Sequence, residues 1–534
     1  MTDNTTLLPT RATYAPGQGI SIDIERPESG SYSGEISIWK LGEIVSRFPV
    51  VNISRWDGPT LPEGSYGIEL TIDGELRGRT AVEVTSTPRA RLRYGFVASY
   101  RPGKDATACA KLARRLHLNS IQFYDWAYRH ADLMGGGESY TDALGQTISL
   151  DTVRNLIAAY RDVGTDSIGY AAVYAAGPEE WPAWKQHALL RPTGEPYALG
   201  DFLFILDPAA PEWLSHFRAE LSRTSVALGF DGYHLDQYGY PKFAATPDGT
   251  AVDVADSFAT LIAQVRDELP DARLIFNNVN DFPTWRTASL PQDAVYIEPW
   301  EPNVTLESLA RITRRARSAS AGQPIVLAAY QHIYDSVDAR TGNRSTAFTM
   351  ATLFSHGATQ LLAGEDGSLL VDPYYVRNQE AAEQTLSLLA RWYDFLVEHD
   401  ELLMSSDLHE VTSSYVGEYN GDLDVTYPAA PVASDPTSGA VWRRVVSHGS
   451  DLIVHLINLA QQVDTQWDAA REQPVAVDGG MLRMRHIPGR TPRIRVADPD
   501  GIGRLIQVPV RIDGDYAIAE LPPLQVWQVV HVTY

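Results

Sequence analysis

The chain opens on short runs in which polar and apolar residues alternate, GISIDIE, GEISIWKL, GSYGIELTID and TAVEVTS, separated by glycine, proline and Asp-Gly turns. A period of two between such turns predicts a small immunoglobulin-like β-sandwich over residues 1–88. Around Ser86–Arg91 (STPRAR) the period changes, and short apolar runs begin to alternate with helix-length amphipathic stretches, the pattern of βα units around a parallel sheet. The strand-like runs are YGFVASY (94–100), SIQFY (120–124), SIGYAAVY (167–174), GYHLD (232–236), LIFNN (274–278), AVYIE (294–298), PIVLAAY (324–330) and TQLLAGE (359–365). Helical spacing at 108–117, 150–163, 211–227 and 306–319 separates many of them. Eight such units predict an α/β fold, a (β/α)8 TIM barrel over 89–403. From about residue 404 strand patterns return (VVSHGSDLIVHLINL, RIRVADPD, LIQVPVRID, YAIAELP, VWQVVHVTY), and a second β-sandwich is expected over 404–534, with residues 429–440 as an exposed loop.

Composition narrows the class of partner. Of 534 residues, 44% are hydrophobic and 21% charged, enough apolar surface for packed cores throughout. A formal net charge of −23 repels phosphate backbones and anionic lipid, which argues against nucleic acid and membrane. A neutral polyol feels little of that field and binds through hydrogen bonds and ring stacking, for which 12 Trp and 26 Tyr are well suited. Cys109, the single cysteine, lies in an Ala-rich helical stretch and has no partner for a disulfide within the chain. The N-terminus lacks a basic segment followed by an apolar one, so a cytoplasmic location is expected if the natural chain starts here, and a secreted one if a signal peptide has been trimmed from it.

In a barrel of this kind the reacting groups project from the C-terminal ends of the strands. Those ends carry Tyr100, Asp125 with Trp126, Tyr174, His234 and Asp236 followed by Gln237, Asn277 with Asn278, Glu298 with Trp300, Tyr330 with Gln331 and His332, and Glu365 with Asp366. Glycosidic cleavage needs two carboxyl groups, one to protonate the departing oxygen and one to trap or stabilise the anomeric carbon. Asp236 and Glu298 are the expected pair. Polar neighbours of Asp236 would keep its pKa low, and the apolar wall of Ile297, Pro299 and Trp300 would raise that of Glu298. Asp231 begins its strand and is read as structural, while Glu301, beyond Trp300, is the rival to Glu298. The expected substrate-binding residues are Tyr100, Asp125, Trp126, Tyr174, His234, Gln237, Asn278, Trp300, Tyr330, Glu365 and Asp366. His130, His332 and His356 lie far apart and no HxH or HExxH occurs, so no metal or other cofactor is expected.

The segments NSIQFYDWAYRH (119–130), GFDGYHLDQYG (229–239), VYIEPW (295–300) and GEDGSLLVDPYYV (364–376) together resemble glycoside hydrolase family 66, the dextranases and cycloisomaltooligosaccharide glucanotransferases. The resemblance covers most of the chain and implies the same order: immunoglobulin-like domain, barrel, C-terminal β-domain. It implies an α-1,6-glucan substrate, Asp236 as nucleophile and Glu298 as acid/base. It also implies retention of anomeric configuration, for which the two carboxyl groups should stand about 5 to 5.5 Å apart. By the same resemblance the Tyr124–Trp126 turn and the Gly364–Asp366 loop would line glucose subsites. Cyclising members carry an extra carbohydrate-binding module within the barrel, and no inter-strand stretch here is long enough for one, which favours hydrolysis of short linear or cyclic isomaltooligosaccharides. Three alternatives stay open: a transglycosylase using the same pair, a hydrolase of another α-glycoside, and a carbohydrate-binding protein without catalysis, for which the two sandwiches speak.

Overall fold

The computed structural model describes residues 5–27 and 30–534. Near the N-terminus, strands Thr6–Pro9, Gly19–Glu25 and Arg55–Thr60 form one antiparallel sheet, and Ser33–Lys40, Glu43–Val51, Gly64–Ile72 and Glu75–Val84 form another. The alternation read from the sequence explains their packing. Ile20, Ile22 and Ile24 of the first sheet meet Ile36, Ile38, Ile68, Leu70, Val82 and Val84 of the second in one core.

All eight expected parallel strands are present. In order they are Tyr94–Val97, Ser120–Phe123, Asp166–Ala172, Gly232–Asp236, Arg273–Val279, Ala294–Glu298, Ile325–Leu327, and a broken eighth made of Ala358–Gln360 and Ala363–Gly364. Each pairs with the next in parallel. The eighth segment pairs on both sides: Ala358–Gln360 lies against the seventh strand, and Gly364 lies beside Phe96 of the first, so the sheet curls back on itself. The break at Leu361–Leu362 lets one segment serve both edges.

Helices Ala106–Arg115, Leu150–Asp162, Pro211–Leu228, Val254–Glu268, Leu306–Ala319 and Ala339–Ser355 lie between successive strands. Their starts follow capping chemistry: the Thr305 hydroxyl accepts from Ser308 N at 3.1 Å, and Asp338 accepts from Arg340 N and Thr341 N. Between the fifth and sixth strands there is only one helical turn, Thr284–Thr287. The strand faces alternate as a pleat requires. Tyr170, Ala172, Ile275, Tyr296 and Val326 fall in an inner core, whereas Ala171, Tyr233, Phe276, Ile297 and Leu327 pack in the core shared with the helices.

The C-terminal residues form a seven-stranded and a four-stranded sheet. Within the strand Trp527–Thr533, Val530 and Val532 enter the core between these sheets, while Trp527 and Val529 join the helical core. Burial on both faces explains the nearly unbroken apolar run VWQVVHV. Only about half of residues 429–440 are exposed, with Ala430 and Ala440 buried, and Val432–Ala433 pairs with Val441–Trp442, a short strand where only loop was expected. Among the described residues no helix is long and apolar enough to cross a membrane.

The fully buried Trp527 ring sits 5.2 Å from Phe395 and 5.8 Å from Trp392, centroid to centroid, joining the C-terminal strands to the helices. Trp527→Ala should cost about 3–5 kcal/mol in urea denaturation, as for large aromatic truncations in a core. A loss below about 1 kcal/mol would mean that this junction is not a shared core.

Candidate functional site

The fourth strand is held close to the fifth by Gly232, where any Cβ would collide with the backbone of Arg273. That contact suits the register of this pair, in which Gly232 lies opposite Arg273; the neighbouring pairs align Tyr170 with His234 and Ala172 with Asp236, and Val279 of the fifth strand with Glu298 of the sixth. Asp236 and Glu298 therefore end adjacent-but-one strands on the same face, with Asn277 between them.

Asn277 joins the pair. Its Nδ2 donates to Asp236 Oδ1 at 2.7 Å and lies 3.2 Å from Glu298 Oε2, to which it also donates. The two carboxyl oxygens can be no farther apart than those two bonds end to end. On the other side of Asp236, the Tyr170 hydroxyl donates to Oδ2 at 2.7 Å. Glu298 is buried, and Asp236 is half-buried at the cavity floor.

Burial raises both carboxyl pKa values above the ordinary range. For Asp236 this corrects the expectation of a low value: desolvation outweighs the Asn277, Tyr170 and Gln237 N–H donors that favour its charge. For Glu298 desolvation is joined by the charge of Asp236, while the Asn277, Tyr330 and Trp300 donors oppose less strongly. Two carboxylates this close cannot both ionise easily. Asp236 has a strong donor on each oxygen, so the charge belongs there and the proton on Glu298.

The pair opens into a cavity of about 230 Å³ with aromatic walls that include Tyr124, Tyr238, Trp300, Tyr330 and Tyr374. Tyr124 stacks on Tyr375 at 4.2 Å, and the Tyr375 hydroxyl meets that of Tyr296 at 3.0 Å. Of the expected binding residues, His234, Gln237, Trp300 and Tyr330 line this cavity. Burial pushes His234 down to about 3, so it is a neutral floor group. Gln237 Nε2 donates to the carbonyls of Asn277 and Phe282 and so fixes the loop beneath the bridge.

The other expected binding residues are placed differently. Tyr100, Trp126 and Tyr174 are fully buried on the helical side of the sheet. Their polar atoms are spent on the chain: Tyr100 OH on the carbonyls of Val97 and Tyr124, Trp126 Nε1 on Tyr170 O, and Tyr174 OH on Tyr240 O and Tyr238 N. Asn278 points away from the cavity and holds Thr287 Oγ1 and the carbonyls of Phe276 and Tyr296. Glu365 accepts from Ala98 N and pairs with Lys104, which also reaches Asp366 at 3.3 Å, so neither carboxylate lines the cavity. Asp125, in left-handed backbone at φ 42°, faces a small adjoining cavity with Asp142 and Tyr170. Burial, with Asp142 and Asp236 adding, pushes its carboxyl up to about 8.

Asp231 stands immediately before its strand, where its Oδ2 accepts from Ser167 N at 2.9 Å, and Glu301 is exposed and absent from the cavity wall. Tyr170, Gln122, Tyr238, Tyr296, Tyr374 and Tyr375 line the cavity without having been singled out. Strand parity would have found Tyr170 and Tyr296, and would have chosen Asn277 over Asn278, because each lies an even number of residues from an inward-facing neighbour. Among the described residues no group of three or more His, Cys, Asp or Glu could hold a metal ion.

A cycloisomaltooligosaccharide glucanotransferase of Niallia circulans is 25% identical over 407 residues, 68% of this chain and 41% of that protein. A dextranase of Streptococcus salivarius is 26% identical over 214 residues, 36% of this chain and 26% of that protein. The matched stretch thus spans less than half of either relative. The crystal structure of a Paenibacillus sp. cycloisomaltooligosaccharide glucanotransferase complexed with cycloisomaltoheptaose shares the fold, with a TM-score of 0.89 over 99% of both chains at 19% identity. The model of glycosyl hydrolase family 66 matches residues 9–531. With nearly its whole length accounted for by that one match, the chain belongs to glycosyl hydrolase family 66.

Proposed function

We propose that this chain is a retaining glycosidase that hydrolyses α-1,6-linked glucans, short linear or cyclic isomaltooligosaccharides above all, with Asp236 as nucleophile and Glu298 as acid/base. The scaffold in this reading is a (β/α)8 barrel over 89–403 between β-sandwiches at 1–88 and 404–534. The observation that carries the proposal is the Asn277 bridge, since two carboxyl groups that share one amide stand closer than the roughly 6.5–9.5 Å at which inverting enzymes admit a water. Ionised Asp236 attacks the anomeric carbon while Glu298 protonates the departing 6-oxygen. Glu298, now a carboxylate, then takes a proton from water, which attacks the glycosyl-Asp236 ester and frees the sugar. The Tyr170 and Asn277 donors orient Asp236 for attack and hold its charge before bond formation. The cavity falls below the roughly 300–1,000 Å³ of a drug-sized pocket, which suits enclosing the ring being cleaved while the remaining units lie in the open.

Transfer to a sugar hydroxyl is the second reading. It is favoured by the names of the Niallia and Paenibacillus relatives and by the end-to-end match to the latter. The chemistry is the same up to the ester, and the acceptor decides. Incubation with dextran and with linear and cyclic isomaltooligosaccharides, followed by chromatography, should yield shorter linear products; rings or chains longer than the substrate would establish transfer instead. Asp236→Asn should lower turnover by roughly 10⁴-fold or more while sugar binding persists, and activity within tenfold of the parent would remove Asp236 from the nucleophile's role.

The electrostatics also set the pH response. kcat/KM should be bell-shaped, with the acid limb belonging to protonation of Asp236 and the alkaline limb to loss of the Glu298 proton; the two are properties of the pair. Tyr170→Phe removes a donor that favours the ionised nucleophile, so the pKa rises and the acid limb moves to higher pH. A charge-assisted hydrogen bond of about 1.5–3 kcal/mol corresponds to a move of about 1–2 pH units. An unmoved acid limb would show that Tyr170 does not set the charge on Asp236.

A further inference from the structure

At the end of the parallel sheet remote from Asp236 and Glu298 lies a second cavity, of about 620 Å³. Its floor is made where strands begin, at Leu92, Ile325 and Thr359, and its walls by the end of helix Leu306–Ala319 and by residues of the 400–410 stretch with Arg444. In a chain of net charge −23, five arginines meet here: Arg91, Arg93, Arg314, Arg317 and Arg444.

Four of them have carboxylate partners. Arg93 pairs with Glu83 at 2.8 Å, Arg91 with Asp400 at 2.7 Å, Arg314 with Glu307 at 2.7 Å, and Arg444 with Glu410. Arg317 has none among the described residues. It donates to the carbonyls of Gly357 and Ser405, at 3.4 and 2.9 Å, which fix the guanidinium and leave its charge uncompensated. Burial pushes Arg444 down to about 10 against the opposing pull of Glu410, with smaller additions from Arg317 and Arg314, and burial with Arg444 and Arg314 drives His356 well below its usual value. The His356 Nε2, buried at the cavity wall, has no hydrogen-bond partner.

A guanidinium presents five N–H donors in a planar fork that matches phosphate oxygens, and it stays charged at any working pH. The remaining lining includes Ser318, Ser320, Gln323 and Ser406, hydroxyl and amide groups that suit a polyol. The volume exceeds what a bare phosphate fills. We infer that this cavity is a second binding site, for a phosphate monoester of a small polyhydroxyl compound, with Arg317 as the phosphate anchor and Arg314 and Arg444 reinforcing it. The site stands apart from the catalytic pair and does not depend on which glycosidic bond that pair cleaves.

Calorimetric titration with glucose 6-phosphate, inorganic phosphate and glucose, at ionic strength matched with chloride, tests it. Glucose 6-phosphate should saturate a single site, inorganic phosphate should compete more weakly, and glucose should not compete. Arg317→Gln should weaken binding by about 10- to 100-fold, the worth of a charge-assisted hydrogen bond, with a thermal unfolding midpoint close to the parent's. Arg314→Gln, at a half-exposed position, is the second variant and should weaken binding by a smaller factor. No saturable heat from either phosphate at about 10 mM, past ordinary millimolar affinity, overturns the inference. So does binding unchanged in both variants, or binding displaced by isomaltose, which would put the ligand in the catalytic cavity.

Discussion

One side-chain amide, that of Asn277, holds together two acids that burial and mutual repulsion would drive apart. Removing a carboxylate from water raises the cost of its charge, and a second carboxylate within a few ångströms raises it again. Both penalties act on Asp236 and Glu298, and the protein resolves them by unequal solvation: two strong donors on Asp236, and on Glu298 weaker ones with a charged neighbour. The division of labour between an ionised and a protonated acid follows from where these donors point. It would be lost if strands four to six slipped by one residue, because every side chain would then change face.

The rest of the molecule maintains that register. Gly232 admits the backbone of Arg273, and Arg273 itself is buried, its guanidinium reaching Ser120, Asp166 and the carbonyl of Arg91 across the strand starts. The flanking sheets brace the barrel-like sheet through its helices. Arg79 of the N-terminal sheets pairs with the buried Glu398 at the end of helix Glu383–Glu398, and Trp527 of the C-terminal sheet packs against Trp392 and Phe395 of the same helix. A single helix thus takes contacts from both ends of the chain.

The sequence exposed the eight parallel strands because strands buried on both faces read as short apolar runs, and it exposed the pair because in GYHLD and AVYIE the run stops on an acid. What it did not expose is the direction in which each strand-end side chain points. Tyr100, Trp126 and Tyr174 lie just beyond the last residues of their strands, where the chain has left the pleat, and pack with the helices, whereas in Asn278 the pleat itself turns the side chain away from the cavity. Glu365 and Asp366 look like sugar ligands until Lys104, distant in sequence, is seen to occupy them. Tyr170 sits in the middle of an apolar run and reads as core, and it is core on one side, with its hydroxyl on Asp236. Tyr374 and Tyr375 come from a loop with no periodicity to place them.

The central claim is that Asp236 and Glu298 act from opposite protonation states across a single bond in two displacements. The anomer released first reports on this directly. Proton NMR of the reaction in its first minutes, before mutarotation, should show the new reducing end as the α-anomer, which retention requires; a β-anomer appearing first would contradict the account.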